Sequence, residues 1–164
     1  MRLLAHTNWN PESQEKVTEL IDGIMDSIRQ VIPVAATFGP AAVLEGAAVQ
    51  SEIGVLVGFT GDNYGRIVIQ GSGEAFGGLG GAMFGMPLEG ELLHSFIGEL
   101  ANMIAGNTST HLFNKGRKID ITPPTVMVGK LQMYGFEQGI TLPVELADIG
   151  ELTIILTIHT QGAA

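Results

Sequence analysis

The chain has 164 residues, of which 45% are hydrophobic, with no cysteine and a formal net charge of −9. That length suits one domain spanning residues 1–164 with a sizeable core, and that apolar content excludes disorder. The missing cysteines exclude disulfides, thiolate metal sites and thiol nucleophiles, and eight Lys and Arg without a cluster argue against nucleic acid or an anionic membrane surface as partner.

No apolar run approaches the roughly 20 residues that cross a bilayer. Residues 1–6 are too short and too soon polar for a signal peptide. A reducing, soluble compartment, the cytoplasm, is the expected location.

The first element is a helix over residues 11–31. Val17, Leu20, Ile21, Ile24, Ile28 and Val31 recur at helical spacing, Asn10 can cap, Pro11 suits the first turn and Pro33 ends the pattern. Strands are expected at 34–38 and 46–50, then at 53–60 and 66–70. The turn formers Thr60 to Gly65 join the last two into a hairpin. A short helix over 72–84 follows, despite Gly77, Gly78, Gly80 and Gly81. A second long helix runs over 91–113. Strands are expected at 125–130, 136–145 and 151–160, with a turn at Asp148-Ile149-Gly150.

This order repeats. A helix, a short strand after a proline and a two-strand hairpin occur once before residue 71 and once after residue 90. The pattern predicts an α+β fold: a duplicated helix-plus-strands unit, with a largely antiparallel sheet and the two long helices packed on it.

The second long helix carries the chemistry. At about 100° per residue, Leu93, Phe96, Leu100, Met103, Ile104 and His111 share an arc expected to face the sheet. Asn107 falls on it too, where burial would give it a structural role. Ser95, Glu99, Asn102 and Gly106 share another arc about 60° wide on its flank. Glu99 and Asn102 are three apart, so a carboxylate and a carboxamide project side by side. Gly106, one turn on, leaves the backbone uncovered for a partner surface. Polar pairs at this spacing are usually solvated surface. Asn is, however, a poor choice for a helix interior, and such local conflicts tend to mark function.

The run Gly98-Glu99-Leu100-Ala101-Asn102-Met103-Ile104-Ala105-Gly106-Asn107 resembles the signature helix of the CheC/CheX/FliY class of chemotaxis phosphatases. That pattern is an Asp or Ser, three residues, Glu, two residues, then Asn; here it reads Ser95, Glu99, Asn102. Phe59-Thr60-Gly61-Asp62, Met83-Phe84-Gly85 and Ile121-Thr122-Pro123-Pro124-Thr125-Val126 resemble the surroundings of that helix in the same order.

The resemblance implies a phosphorylated CheY-like receiver domain as partner and substrate. It implies that Asn102 orients the attacking water, that Glu99 docks on the receiver lysine, and that Ser95 and Gly106 support. It implies no cofactor bound by this chain, because the receiver brings its own Mg²⁺. Some members of the class carry a second site on the first helix. Here those positions read Glu15, Glu19 and Asp22, and the anionic Asp22 replaces the amide. These residues and Asp26 read instead as a solvated acidic stripe. One-site members resemble the homodimeric branch of the class, so a homodimer is expected. The alternative is a non-catalytic receiver binder, or an assembly module like the flagellar switch proteins, which exposed apolar surface on the sheet's outer face would favour.

The remaining features read as structural. The glycine cluster lacks the Gly-Lys-Ser/Thr ending of a phosphate loop and suits close packing. His6, His94, His111 and His159 lack metal-ligand spacing, with His111 at the core or its boundary. Trp9 is expected to cover the start of the first helix.

Overall fold

A computed structural model describes residues 9–44, 48–50, 52–62, 64–136 and 138–159. His6 and the rest of residues 1–6, the start of the strand expected at 46–50, Asn63, Glu137 and Thr160 lie outside the described residues.

The first helix, α1, spans Pro11–Val31, as its periodicity predicts. The Asn10 carboxamide oxygen accepts from the Ser13 N–H at 2.8 Å, and Val17, Leu20, Ile21, Ile24 and Ile28 are buried. Trp9 packs against the core while its carbonyl accepts from Gln14. Five strands follow: β1 (Ala36–Phe38), β2 (Ala42–Leu44), β3 (Ala48–Gln50), β4 (Ile53–Gly61) and β5 (Tyr64–Gly71). Helices α2 (Gly73–Phe84) and α3 (Gly90–Phe113) come next. The chain ends in β6 (Ile119–Ile121), β7 (Thr125–Val128), β8 (Leu131–Met133), β9 (Gln138–Leu146) and β10 (Gly150–His159).

The main sheet runs β1-β9-β10-β5-β4-β6, with β2 also on β9 and β7 also on β4, while β3 and β8 form a separate pair. Every pairing among the described residues is antiparallel. The duplication is visible in these partners. The halves α1-β1-β2-β3-β4-β5 and α3-β6-β7-β8-β9-β10 correspond element by element. β1 and β2 pair with the other half's β9, and β6 and β7 with the first half's β4. The halves meet along β5 and β10, with Ile69 opposite Ile154. Each half thus completes the sheet of the other.

The strands alternate as a half-covered sheet requires. Val55, Val57, Phe59, Ile67, Ile69, Ile140, Leu142, Leu152, Ile154 and Leu156 join the core that α1, α2 and α3 close. On the outer face, Val68 and Ile155 are covered by Leu44, Leu56, Met127, Met133 and Phe136. At Gly65 a Cβ would stand 1.9 Å from the Thr157 carbonyl oxygen, so only glycine lets β5 approach β10 there.

The differences from expectation lie in the shortest strands. β2, β6 and β8, three residues each, are too short for alternation to announce them and form because a partner strand is present, β9, β4 and β3 respectively. β7 stops at Val128, not at residue 130, because Gly129 takes φ +108°. The glycine-rich segment is helical throughout. The Ser72 hydroxyl accepts from the Ala75 N–H, and Gly85 closes the helix in the left-handed region at φ 74°. Its glycines serve packing: a Cβ on Gly80 would stand 2.7 Å from the Leu88 side chain. The N–H groups that a phosphate loop would present are here inside a helix.

Candidate active site

Helix α3 is held on several sides. It packs on α1, on α2 and on β4, β6 and β7. Leu93, Phe96, Ile97, Gly98, Leu100, Ala101, Ile104, Ala105, Thr108 and Leu112 are all buried. On a helical wheel these cover about 200°, twice the arc that apolar spacing suggested. Ile97 and Leu112 widen it beyond the expected arc, and the small residues Gly98, Ala101 and Ala105 extend it further: they admit neighbours closely without standing out as hydrophobic. A Cβ on Gly98 would meet Pro124 and Val126 at 3.7 Å.

The remaining arc is open, and the candidate residues occupy its centre rather than the flank of an apolar stripe. Ser95, Glu99 and Asn102 are exposed, and Gly106 is half-exposed with open space where a Cβ would stand. No described residue hydrogen-bonds or ion-pairs with the side chains of Ser95, Glu99 or Asn102. A carboxylate and a carboxamide are thus offered side by side from a rigid support, with their polar atoms uncommitted.

Three placements are corrected. Asn107 is exposed, so the buried structural role expected for it does not hold. Met103 and His111 are only partly buried. His111 faces the other long helix rather than the sheet, its Nδ1 3.5 Å from the Asp26 carboxylate. The acidic stripe of α1 is also not simply solvated. Arg117, beyond the end of α3, ion-pairs with Glu19 and lies 4.0 Å from Glu15. The hydrogen bond from Arg117 to Glu19 is the main reason the guanidinium is held above its ordinary value. Asp26 is engaged by His111 and accepts from Gln30, while Asp22 is exposed. Two of the positions matching a second site, Glu15 and Glu19, therefore tie α1 to the segment after α3. Sequence spacing missed Arg117, which is 98 residues from Glu19.

The geometry excludes one kind of chemistry. Ser95, Glu99 and Asn102 stand exposed on the outward side of a helix. A recess of about 260 Å³ lies elsewhere, lined by Leu56, Thr60, Tyr64, Arg66, Thr122 and His159, on the outer face of the sheet. Among the described residues no group of three His, Asp or Glu could hold a metal ion, and no helix is long and apolar enough to cross a membrane. An outward-facing pair cannot enclose a small substrate, since ligand sites are concave. It can enter the pocket of another macromolecule.

The α+β fold, a mostly antiparallel sheet with the helices packed on it, matches that of CheC-like structural neighbours. The family profile described as "Chemotaxis phosphatase CheX" matches residues 53–145, more than half of the chain. The chain belongs to this family and is a phosphatase, a hydrolase. Among curated proteins it is 29% identical over 150 residues to the CheY-P phosphatase CheX of Thermotoga maritima, covering 89% of this chain and 97% of that one. Among solved structures it is similar to a CheC-like superfamily protein from Shewanella sp. PV-4 (TM-score 0.76, 21% identity, 86% of this chain and 97% of that one). It is also similar to a chain of the CheX-CheY-BeF3-Mg²⁺ complex from Borrelia burgdorferi (TM-score 0.73, 23% identity, 87% and 97%).

Proposed function

We propose that this chain hydrolyses the phospho-aspartate of a CheY-like response regulator in a two-component circuit. The observation that carries the reading is the exposed, adjacent and unengaged Glu99 and Asn102 on the outward side of a helix. The Asn102 amide enters the receiver's pocket and orients a water in line with phosphorus. That water forms the new P–O bond as the acyl P–O bond breaks, leaving aspartate and inorganic phosphate. Glu99 pairs with a receiver lysine and fixes the docking angle. Ser95 and Gly106 support, the latter by leaving space for the partner.

The sparse toolkit suits the reaction. Phosphoryl transfer passes through a loose transition state, so catalysis is largely positioning and charge stabilisation. An acyl phosphate is already activated. This chain binds no cofactor in the proposal; Mg²⁺ belongs to the receiver and supplies the positive charge. The protein works in the cytoplasm as a homodimer, which predicts a mass in solution of about twice the 17.3 kDa of the chain.

A bare apolar outer face would favour the rival reading as an assembly module. That face is instead covered at its centre, where Val68 and Ile155 are 1% and 2% exposed. The deciding experiment follows the decay of a phosphorylated CheY-like receiver from the same genome, with catalytic amounts of this protein or of Asn102→Ala. Faster decay with the natural chain alone supports the reading. Binding without faster decay identifies a receiver binder, and neither effect with several receivers points to assembly.

A further inference from the structure

Among the described residues six large apolar side chains are exposed, and three of them fall between the end of α2 and the first turn of α3. α2 ends at Phe84, Gly85 turns the chain, Met86 follows, and Leu92 lies in the first turn of α3. Their exposures are 61% for Phe84, 59% for Met86 and 68% for Leu92. Phe84 is held in place: its ring stands edge-on to Phe96 with centroids 5.7 Å apart. Phe96, itself buried, is one turn beyond Leu92 and links Phe84 to the same end of α3. Around the helix, Leu92 lies only about 20° from Glu99. The patch continues the stripe of Ser95, Glu99 and Asn102 toward the helix N-terminus.

We propose that Phe84, Met86 and Leu92 form the apolar part of the docking surface, packing on an apolar patch of the CheY-like receiver beside its phosphorylated aspartate. The proposal rests on the phosphatase reading above. Distance along α3 puts Leu92 within reach of the docking site. Leu92 lies ten residues before Asn102, about 15 Å along the axis. An interface of about 800 Å² per partner, drawn as a disc, has a radius of about 16 Å. Centred on Asn102, it reaches Leu92. Phe113, eleven residues in the other direction, is about 16.5 Å away and falls just outside. Tyr134 follows β8, whose Met133 covers the outer face, and falls outside.

Charge gives the patch its purpose. A chain of net charge −9 does not draw a phosphorylated carboxylate pocket toward it at long range. The polar pair is hydrated before docking and supplies orientation more than affinity. Apolar contact is short-ranged, unaffected by the like charges, and able to supply the affinity.

The test measures KM and kcat for dephosphorylation of a CheY-like receiver from the same genome, and the Kd for that receiver trapped with beryllofluoride and Mg²⁺. The chains compared are the natural one, Leu92→Asp, Phe84→Asp, Leu92→Met and Tyr134→Ser, each checked by circular dichroism and melting. Leu92→Asp and Phe84→Asp are expected to raise KM and Kd at least about tenfold, with kcat within about twofold. Leu92→Met should retain the natural values, and Tyr134→Ser should change neither. Should Phe84→Asp lose its fold, Leu92→Asp alone decides. Folded aspartate variants whose KM and Kd stay within about twofold of natural overturn the proposal, and so does a fall in kcat with KM unchanged. A natural chain that binds the trapped receiver without accelerating decay sinks the phosphatase reading, while the Kd values still judge the patch. A natural chain that does neither overturns both.

Discussion

At the scale of single residues, the site separates chemistry from stability. Asn102 is exposed and bonded to no described residue, so its removal leaves the packing of α3 untouched. Asn102→Ala is expected to lower turnover roughly 100-fold or more, since positioning groups matter on that scale, with the melting temperature unchanged or slightly higher. Single-turnover decay of the phosphorylated receiver and a thermal melt check both halves. Gly106 gives the opposite pairing. A Cβ there meets nothing within 4 Å, so Gly106→Ala should stabilise the helix by up to about 1 kcal/mol. The same methyl would stand in the space left for the partner. Affinity for a trapped receiver is expected to fall several-fold as the melting temperature rises. Equal affinity with a raised melting temperature would show that no close approach occurs at Gly106.

Between elements, the seam of α1 with α3 decides how rigid the site is. Apolar burial dominates it: Leu20, Ile24, Leu100 and Ile104 are all almost fully buried. The Ser27 and Thr108 hydroxyls meet there at 3.1 Å, yet each already has a carbonyl four residues back, Gly23 at 2.7 Å and Ile104 at 2.7 Å. Thr108→Val keeps the shape and leaves Ser27 bonded to Gly23. It should cost less than about 1 kcal/mol, whereas Leu100→Ala should cost about 2–5 kcal/mol through the cavity it leaves. The Arg117 pair with Glu19 is partly exposed, and Arg117→Ala should cost at most about 1 kcal/mol. Its turnover should match the natural chain, because the acidic residues of α1 are structural. Urea titration of the three variants ranks these effects. A turnover lost in Arg117→Ala without lost stability would return the first helix to the reaction.

For the whole molecule, the exchanged strands make the halves interdependent. β9 is flanked by β1 and β2 from the first half, and β4 by β6 and β7 from the second. Residues 1–71 alone would leave β4 and β5 with open edges and no α3 to cover them, and residues 72–164 alone would leave β9 unpaired on one side. Each fragment is expected to be unfolded or aggregated by circular dichroism, and mixing the two during refolding should restore the native spectrum and a single melting transition. A fragment that folds by itself would mean that the duplicated unit is already a complete domain.

The periodic parts of this protein could be read in its sequence. Both long helices, the hairpin of β4 with β5, the turn at Asp148 and the duplicated order follow from local rules, because spacing, caps and turn formers act within a few residues. The Glu99 and Asn102 pair could be read as neighbours for the same reason, since three residues of helix place them so. What escaped was set by distant partners. β2, β6 and β8 exist because β9, β4 and β3 accept them. Arg117 reaches Glu19 across 98 residues. The far edge of the buried face of α3 comes from Gly98, Ala101 and Ala105, whose small side chains carry little hydrophobic signal but let other elements come close. Local spacing places Glu99 and Asn102 side by side on one helix; only the packing around that helix decides that the pair faces outward and uncommitted, because burial is a property of what surrounds a residue.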